Sequence, residues 1–303
     1  MKVLFIASFT KGYFAPFIVE QAAALERTGC EIEFFGVTGK GLKGYVKALP
    51  GLKKKIKTFK PDIIHAHYGL SGLLACLQRR VPVVTTFHGS DINDPSVLKF
   101  SKHAIKLSAF SIFVSQKNID IAKPSRHFAL IPCGIDLTDL QLMERAAAIK
   151  KTGLSPAHKH VLFSGSFNNS VKNYPLAKAA IELVPGADLI ELKGYTREQV
   201  TLLMCACDAI LMTSFTEGSP QVIKEAMACG CPVVSVDVGD VNELTEGIDG
   251  CYITTREPED IAEKIKKAIS FGKTEGRGRI VNRHLDNNTI AQNIVEIYNS
   301  VAK

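Results

Sequence analysis

At 303 residues the chain has room for two domains of ordinary size, each able to bury its own core. With 46% hydrophobic and 22% charged residues and a net charge of +7, it reads as a soluble globular protein, too mildly basic for a nucleic-acid binder. No apolar run reaches the ~18 residues of a membrane span, and eight cysteines without a C-x2-C pair argue for small buried residues of a reduced, cytoplasmic protein. In chain order, VLFIAS (3–8) predicts a buried strand, read in preference to a signal peptide because no small-residue cleavage site follows. The loop FTKGYFAP comes next, then a helix, FIVEQAAALERTG, stopped at Gly29. EIEFFGV (31–37), DIIHAH (62–67), VPVVTTFHG (81–89), FSIFVS and FALIPCGI supply further strands, with helices around SGLLACLQRR and between the last two. Apolar strands alternating with helices predict a parallel sheet covered on both faces.

IPCGIDL (131–137) closes the first half, and a polar, helix-forming connector, DLQLMERAAAIKKTGLSPAHKH, follows. The pattern then restarts with VLFSGSF (161–167), ADLIELKG, AILMTS, PVVSVDVG and GCYITT, again separated by helices. At the end, NNTIAQNIVEIYNSVAK carries Ile290, Ile294, Ile297 and Val301 on one stripe of a helix. Thr213 to Asp237, TSFTEGSPQVIKEAMACGCPVVSVD, is a strand, loop, helix and strand: a βαβ unit whose loop lies beyond the carboxyl end of its first strand. Glu217 in that loop and Glu225 in the helix stand eight residues apart. Between them Gly218, Ser219, Pro220 and Gln221 bring backbone N–H groups to a helix N-terminus, an anion site. Carboxylates accept hydrogen bonds from sugar hydroxyls. Phosphate on the amides with hydroxyls on the glutamates describes a nucleotide sugar; the plainer reading is a solvated Glu225 and a Glu217 that complements the helix dipole.

The words E-G-S-P-Q-V-I-K-E-A-M-A-C-G-C-P-V-V resemble the E-x7-E signature of family-4 retaining glycosyltransferases, through the E-A-M-A-x-G-x-P-V run. The resemblance implies an α/β fold of the GT-B type, two Rossmann-like domains with parallel sheets facing a central cleft. Residues 1–148 would form the acceptor-side domain, 149–285 the nucleotide-sugar donor domain, and 286–303 a helix crossing back to the first. It implies a sugar moved from a nucleoside diphosphate, of uridine or guanosine, to an acceptor hydroxyl of a sugar, glycolipid or polysaccharide, with no cofactor and no metal. Glu217 would hold sugar hydroxyls and Glu225 the ribose. Lys172 and the amides from Gly218 to Gln221 would carry the diphosphate. His88, in TTFHGSD, would stand beside the donor sugar, with Asp91 either holding that loop or contacting acceptor. Gly12, beside Lys11, would let the backbone approach phosphates or acceptor.

The sequence departs from the family in VLFSGSFNNSVKN, normally G-R-x(4)-K: Ser166 stands at the arginine and Lys172 arrives one residue late. One positive charge on the leaving diphosphate is lost unless another basic group, Lys11 or Arg126, replaces it. Cys133 also replaces the asparagine usual before G-[VI]-D. Two other functions stay open: a nucleotide-sugar epimerase or hydrolase on the same fold, or a non-catalytic nucleotide-sugar-binding subunit.

Gly39, Gly41 and Gly44 spell G-x-G-x-x-G, but they follow the second strand, lysines come next, and Asp62 begins a strand; a flexible basic loop is the better reading than a dinucleotide site. Lysines from Lys40 to Lys60, interleaved with Leu42, Tyr45, Val46, Leu49 and Leu52, suit either a solvated face or peripheral contact with the anionic inner face of a membrane. His65 and His67 have the H-x-H spacing of a metal pair, but later strand ends supply no further ligands; His65 reads as a buried structural hydrogen-bonder. No D-x-D pair occurs, in keeping with lysine and helix amides neutralising a leaving diphosphate.

Overall fold

The computed structural model describes residues 1–302 except Asp139 and Gln141, two positions of the connector that lie outside the described residues. Two compact units emerge: residues 1–134 with 287–303, and residues 135–286.

The first unit holds a six-stranded sheet of β1 (Lys2–Ser8), β2 (Glu31–Val37), β3 (Ile63–His67), β4 (Val83–Phe87), β5 (Phe110–Phe113) and β6 (Phe128–Leu130). The order is β2-β1-β3-β4-β5-β6, and every pair is parallel. β1, β3 and β4 are buried on both faces, which explains their unbroken apolar text. One core, with Val3, Phe5, Ile18, Leu25 and Ile63, also takes Ile290, Ile294, Ile297 and Tyr298 from the terminal helix Asn287–Val301. The isoleucine stripe is therefore the face that this helix buries.

The lysine-rich segment is not a loop. It forms two helices, Gly41–Lys47 and Leu49–Phe59, and this corrects the flexible reading. Tyr45, Leu52 and Phe59 recur every seven residues and pack on Leu4, Ile6 and Ile64, while Lys43, Lys53, Lys54 and Lys57 face water. Burial of that stripe outweighs the repulsion among the lysines. Gly39 and Gly44 serve this arrangement: a Cβ on Gly39 would lie 2.5 Å from the Gly44 Cα, so the glycines let one backbone segment cross another. A helix not foreseen, Pro95–Leu107, starts from Asp94, whose side chain accepts from Ser96 N, with Pro95 in its first turn.

The second unit holds β7 (Lys159–Phe163), β8 (Ala187–Glu191), β9 (Ala209–Met212), β10 (Val233–Val236) and β11 (Cys251–Thr254), all parallel, in the order β11-β10-β9-β7-β8. The connector contributes one helix, Arg145–Thr152, capped by the Glu144 carboxylate and closed by Gly153. Both sheets are parallel sheets with flanking helices, as the alternation of strand and helix text predicts. Among the described residues no helix is long and apolar enough to cross a membrane.

Candidate functional site

The second unit's candidate site is built at the carboxyl ends of β7 and β9. All four residues of β9 are buried, and the chain leaves it into Thr213–Pro220. That loop is sewn to the single 3-10 turn Ser170–Lys172 which follows β7. Thr213 Oγ1 donates to the carbonyls of Lys172 and Asn173 at 2.9 and 3.0 Å, and Phe215 N donates to Val171 O at 2.9 Å. Arg256 holds the loop from its other side, donating to the carbonyls of Thr213 and Ser214. These bonds bring two of the expected residues together across 45 positions of sequence. Lys172 Nζ donates to Glu217 Oε1 at 2.7 Å, with both side chains only 17% exposed.

Glu217 leads into the helix Gln221–Ala228, whose N-cap is Pro220, a residue with no side-chain acceptor to offer the first turn. The segment after β10 supports this entry. Gly239 has φ +56°, and a Cβ there would lie 2.4 Å from the Gly218 carbonyl oxygen, so only glycine lets the two backbones meet. Next to it, Asp240 Oδ2 accepts from Ser219 Oγ at 2.6 Å and pairs with Lys224 Nζ at 3.1 Å. Lys224 also donates to Ser219 Oγ and is wholly buried. The Ser219 hydroxyl is thus turned inward, and contact with a ligand at this residue falls to its backbone N–H.

One turn further on, Glu225 is buried and accepts from Arg197 Nη1 at the start of the helix Arg197–Ala206. A buried carboxylate needs such a partner, because leaving water costs several kcal/mol per ion. Neither expected glutamate is a solvated helix residue: each is held against a cation. At the family's arginine position, Ser166 Oγ donates to Glu191 Oε1 at 2.8 Å, and Phe167 N donates to the same oxygen. Those two bonds, the Ser166 one foremost, hold the Glu191 carboxyl below its ordinary range. That position therefore presents a serine and a carboxylate rather than a cation.

Gly12 and His88 belong to the first unit. Gly12 has φ +79° in the turn after β1, where its N–H donates to Phe9 O at 3.0 Å. His88 follows β4, half-buried between the rings of Phe17 and Tyr68, at centroid distances of 4.8 and 4.7 Å. Asp91 is buried and accepts from the backbone N–H groups of Gly69, His88 and Gly89, and so holds the loop. Burial raises its carboxyl to about 6 against the pull of those amides. Behind His88 stands His67, with Nδ1 and the His88 Nε2 at 3.0 Å, and behind that His65. His65 bridges Tyr298 OH and Thr86 Oγ1 with its two ring nitrogens, the structural role read for it, and ties the terminal helix to β3 and β4. Burial pushes His65 and His88 down to about 3 and His67 well below its usual value, so all three rings are neutral at pH 7.

The sequence reading missed Arg197, Lys224, Asp240 and Glu191. Asp240 carried a signal, an acid just past the carboxyl end of an apolar parallel strand. Lys224, between Ile223 and Glu225, carried none that distinguishes it from a surface lysine.

The pattern described as Glycosyltransferase Family 4 matches residues 16–139, and that of Glycosyl transferases group 1 matches residues 141–270. The chain is 28% identical over 247 residues to TuaC of Bacillus subtilis, named as a glycosyltransferase of teichuronic acid biosynthesis, covering 70% of this chain and 64% of that protein. It is 26% identical over 262 residues to the D-inositol 3-phosphate glycosyltransferase of Mycobacterium sp. (strain KMS), covering 70% of this chain and 60% of the other. The chain thus spans less than two thirds of the length of these curated relatives. Among solved structures, sucrose-phosphate synthase from Thermosynechococcus elongatus aligns with a TM-score of 0.87 at 15% identity over 99% of each chain. HepE of Anabaena, solved with UDP-glucose, aligns with a TM-score of 0.80 at 19% identity over 99% of this chain and 100% of that one. At such identities these likenesses establish the fold, the GT-B class with its two Rossmann-like parallel sheets.

Proposed function

We propose that this chain, which belongs to the glycosyltransferases of family 4 and group 1, moves a sugar from a nucleoside diphosphate to an acceptor hydroxyl with retention of configuration. The observation that carries this reading is the Lys172–Glu217 pair at the foot of the helix Gln221–Ala228, with buried Glu225 one face further on. Lys172 meets the diphosphate, and the amides from Gly218 to Gln221 with the helix dipole share its charge. Diphosphate at Lys172 releases Glu217 to accept from sugar hydroxyls, while Glu225, steadied by Arg197, accepts from the ribose. The acceptor hydroxyl attacks from the face that the diphosphate leaves, and a diphosphate oxygen takes its proton. No protein nucleophile is required.

Charge develops on the leaving oxygen only as the glycosidic bond breaks, so Lys172 acts mainly in the transition state. Lys172→Ala is expected to lower kcat by about 10²–10³-fold while changing donor KM far less. Steady-state kinetics on the best donor checks this, and an unchanged kcat sinks the assignment. Donor and base are found by calorimetric titration of UDP, GDP and their sugar conjugates into wild type and Glu225→Ala. Micromolar binding of one diphosphate, weakened in the variant, supports the site; no binding of either diphosphate overturns it. The Ser166–Glu191 contact favours a second reading, a subunit that binds nucleotide sugar without turning it over. Binding without transfer to any acceptor or to water selects that reading, and donor consumption without acceptor selects an epimerase or hydrolase.

A lipid-linked or anionic acceptor fits the first unit's basic face. Lys53, Lys54, Lys57 and Lys60 converge with Arg79 and Arg80 around a hollow of about 950 Å³. Peripheral contact with an anionic membrane would draw on about 1 kcal/mol from each cation near the surface. Co-sedimentation with phosphatidylglycerol vesicles is therefore expected, and Lys53→Gln/Lys54→Gln/Lys57→Gln should weaken it about 100-fold. Equal binding to neutral vesicles excludes this contact.

A further inference from the structure

The histidine stack of the first unit contains more information than the position of His88. His67 is fully buried, and its two ring nitrogens have different fates. Nδ1 shares a hydrogen bond with His88 Nε2, whereas Nε2 is buried without a partner among the described residues. A neutral imidazole carries one N–H and one lone pair, and two nitrogens in one hydrogen bond share a single proton. Two arrangements satisfy the contact. If His88 Nε2–H donates, His67 must carry its own proton on Nε2, leaving a buried N–H with nothing to bond. If His67 Nδ1–H donates, the orphaned Nε2 is a bare lone pair. Buried orphan donors are rarer and costlier than under-used acceptors, so the second arrangement wins. His88 then accepts at Nε2 and must hold its own proton on Nδ1, the nitrogen to which no described residue bonds.

We infer that His67 is a positioning residue that fixes His88 in the tautomer protonated at Nδ1, so that His88 meets its sugar substrate as a hydrogen-bond donor and not as a base. This deepens the glycosyltransferase reading and rests on it for the identity of the substrate, but the tautomer itself belongs to the free protein. The surroundings enforce it. The His88 backbone is held by Asp91, its ring lies between Phe17 and Tyr68, and His67 is stacked on His65 with centroids 4.5 Å apart. None of these rings can turn over without breaking a contact. Burial keeps the rings uncharged near neutral pH, so no second proton blurs the assignment. A donor at His88 suits a sugar hydroxyl, which both donates and accepts.

The test reads the proton directly. Long-range 1H–15N correlation spectra of 15N-histidine-labelled protein separate the two neutral tautomers, and His88→Gln identifies the His88 signal among eight histidines. Wild type should show His88 protonated at Nδ1. His67→Asn, whose side-chain N–H2 takes the place of Nδ1, should keep that tautomer. His67→Phe retains a stacked ring without the donor and should release His88 toward the Nε2–H form. Wild-type His88 protonated at Nε2 overturns the inference, as does a His67→Phe spectrum still protonated at Nδ1; the wild-type spectrum decides even if a variant fails to fold. With donor and acceptor present, His67→Phe should lose at least tenfold in kcat/KM and His67→Asn should recover most of it. If no sugar transfer is found at all, the proposed function fails while the tautomer result stands on the spectra alone.

Discussion

Lys224→Met is expected to destabilise the second unit by about 3–5 kcal/mol, although lysine at a helical position between two apolar turns looks dispensable. The substitution removes the cation but leaves Asp240 buried, with Oδ1 already lacking a partner among the described residues. An uncompensated buried carboxylate is among the few defects large enough to threaten a whole domain. Replacing both members at once, Lys224→Met with Asp240→Leu, removes both desolvation penalties and should return most of the stability, because well-packed apolar substitutes for buried ion pairs are often neutral. Urea unfolding of the single and double variants checks this. Near-equal losses in both would show that packing, and not the unpaired charge, sets the cost. On the proposed function, the double variant should still bind nucleoside diphosphate less well than wild type, since Ser219 loses the partners that turn its hydroxyl inward and fix the Gly218–Gln221 amides.

The second large effect is acid sensitivity confined to the first unit. An unfolded histidine takes up its proton near pH 6.5, whereas folded His65 and His88 do so only near 3, and His67 well below its usual value. Between those limits the unfolded state holds more protons, so stability is full above about 6.5 and falls as pH falls. His65 and His88 then each cost about 2 kcal/mol between pH 7 and pH 5, and His67 adds a loss of the same sign. Asp91 acts in the opposite sense. Its carboxyl, raised to about 6, takes up a proton in the folded state first and offsets about 1 kcal/mol over the same interval. The remaining loss is a large share of the roughly 5–15 kcal/mol that stabilises an ordinary domain. Amide hydrogen exchange at pH 7 and pH 5 should therefore show protection collapsing in residues 1–134 and in the terminal helix, ahead of residues 135–286. Uniform protection at both pH values would mean that the histidine stack charges without cost.

Much of this molecule is legible in its sequence. Both parallel sheets, the βαβ unit around Glu217 and Glu225, and the apolar stripe of the terminal helix follow from local text, because buried parallel strands must be apolar throughout and helices must present one apolar face. The family resemblance likewise lies in a contiguous run, E-G-S-P-Q-V-I-K-E-A-M-A, which local text alone displays. The segment from Lys40 to Phe59 misled because its charge density masks a seven-residue apolar repeat that only packing against Leu4 and Ile64 makes decisive.

What the sequence by itself determined is the fold class, the family and the strand–loop–helix unit that carries Glu217 and Glu225, since each is a property of short segments. The tertiary structure alone decided the partners: Lys172 against Glu217, Arg197 against Glu225, Lys224 against Asp240, Ser166 against Glu191 and His67 against His88. Charges and tautomers depend on which polar groups meet out of water, and those meetings join positions from 16 to 45 residues apart in the sequence. Periodicity fixes which face a side chain is on, but only the packed chain fixes what it finds there.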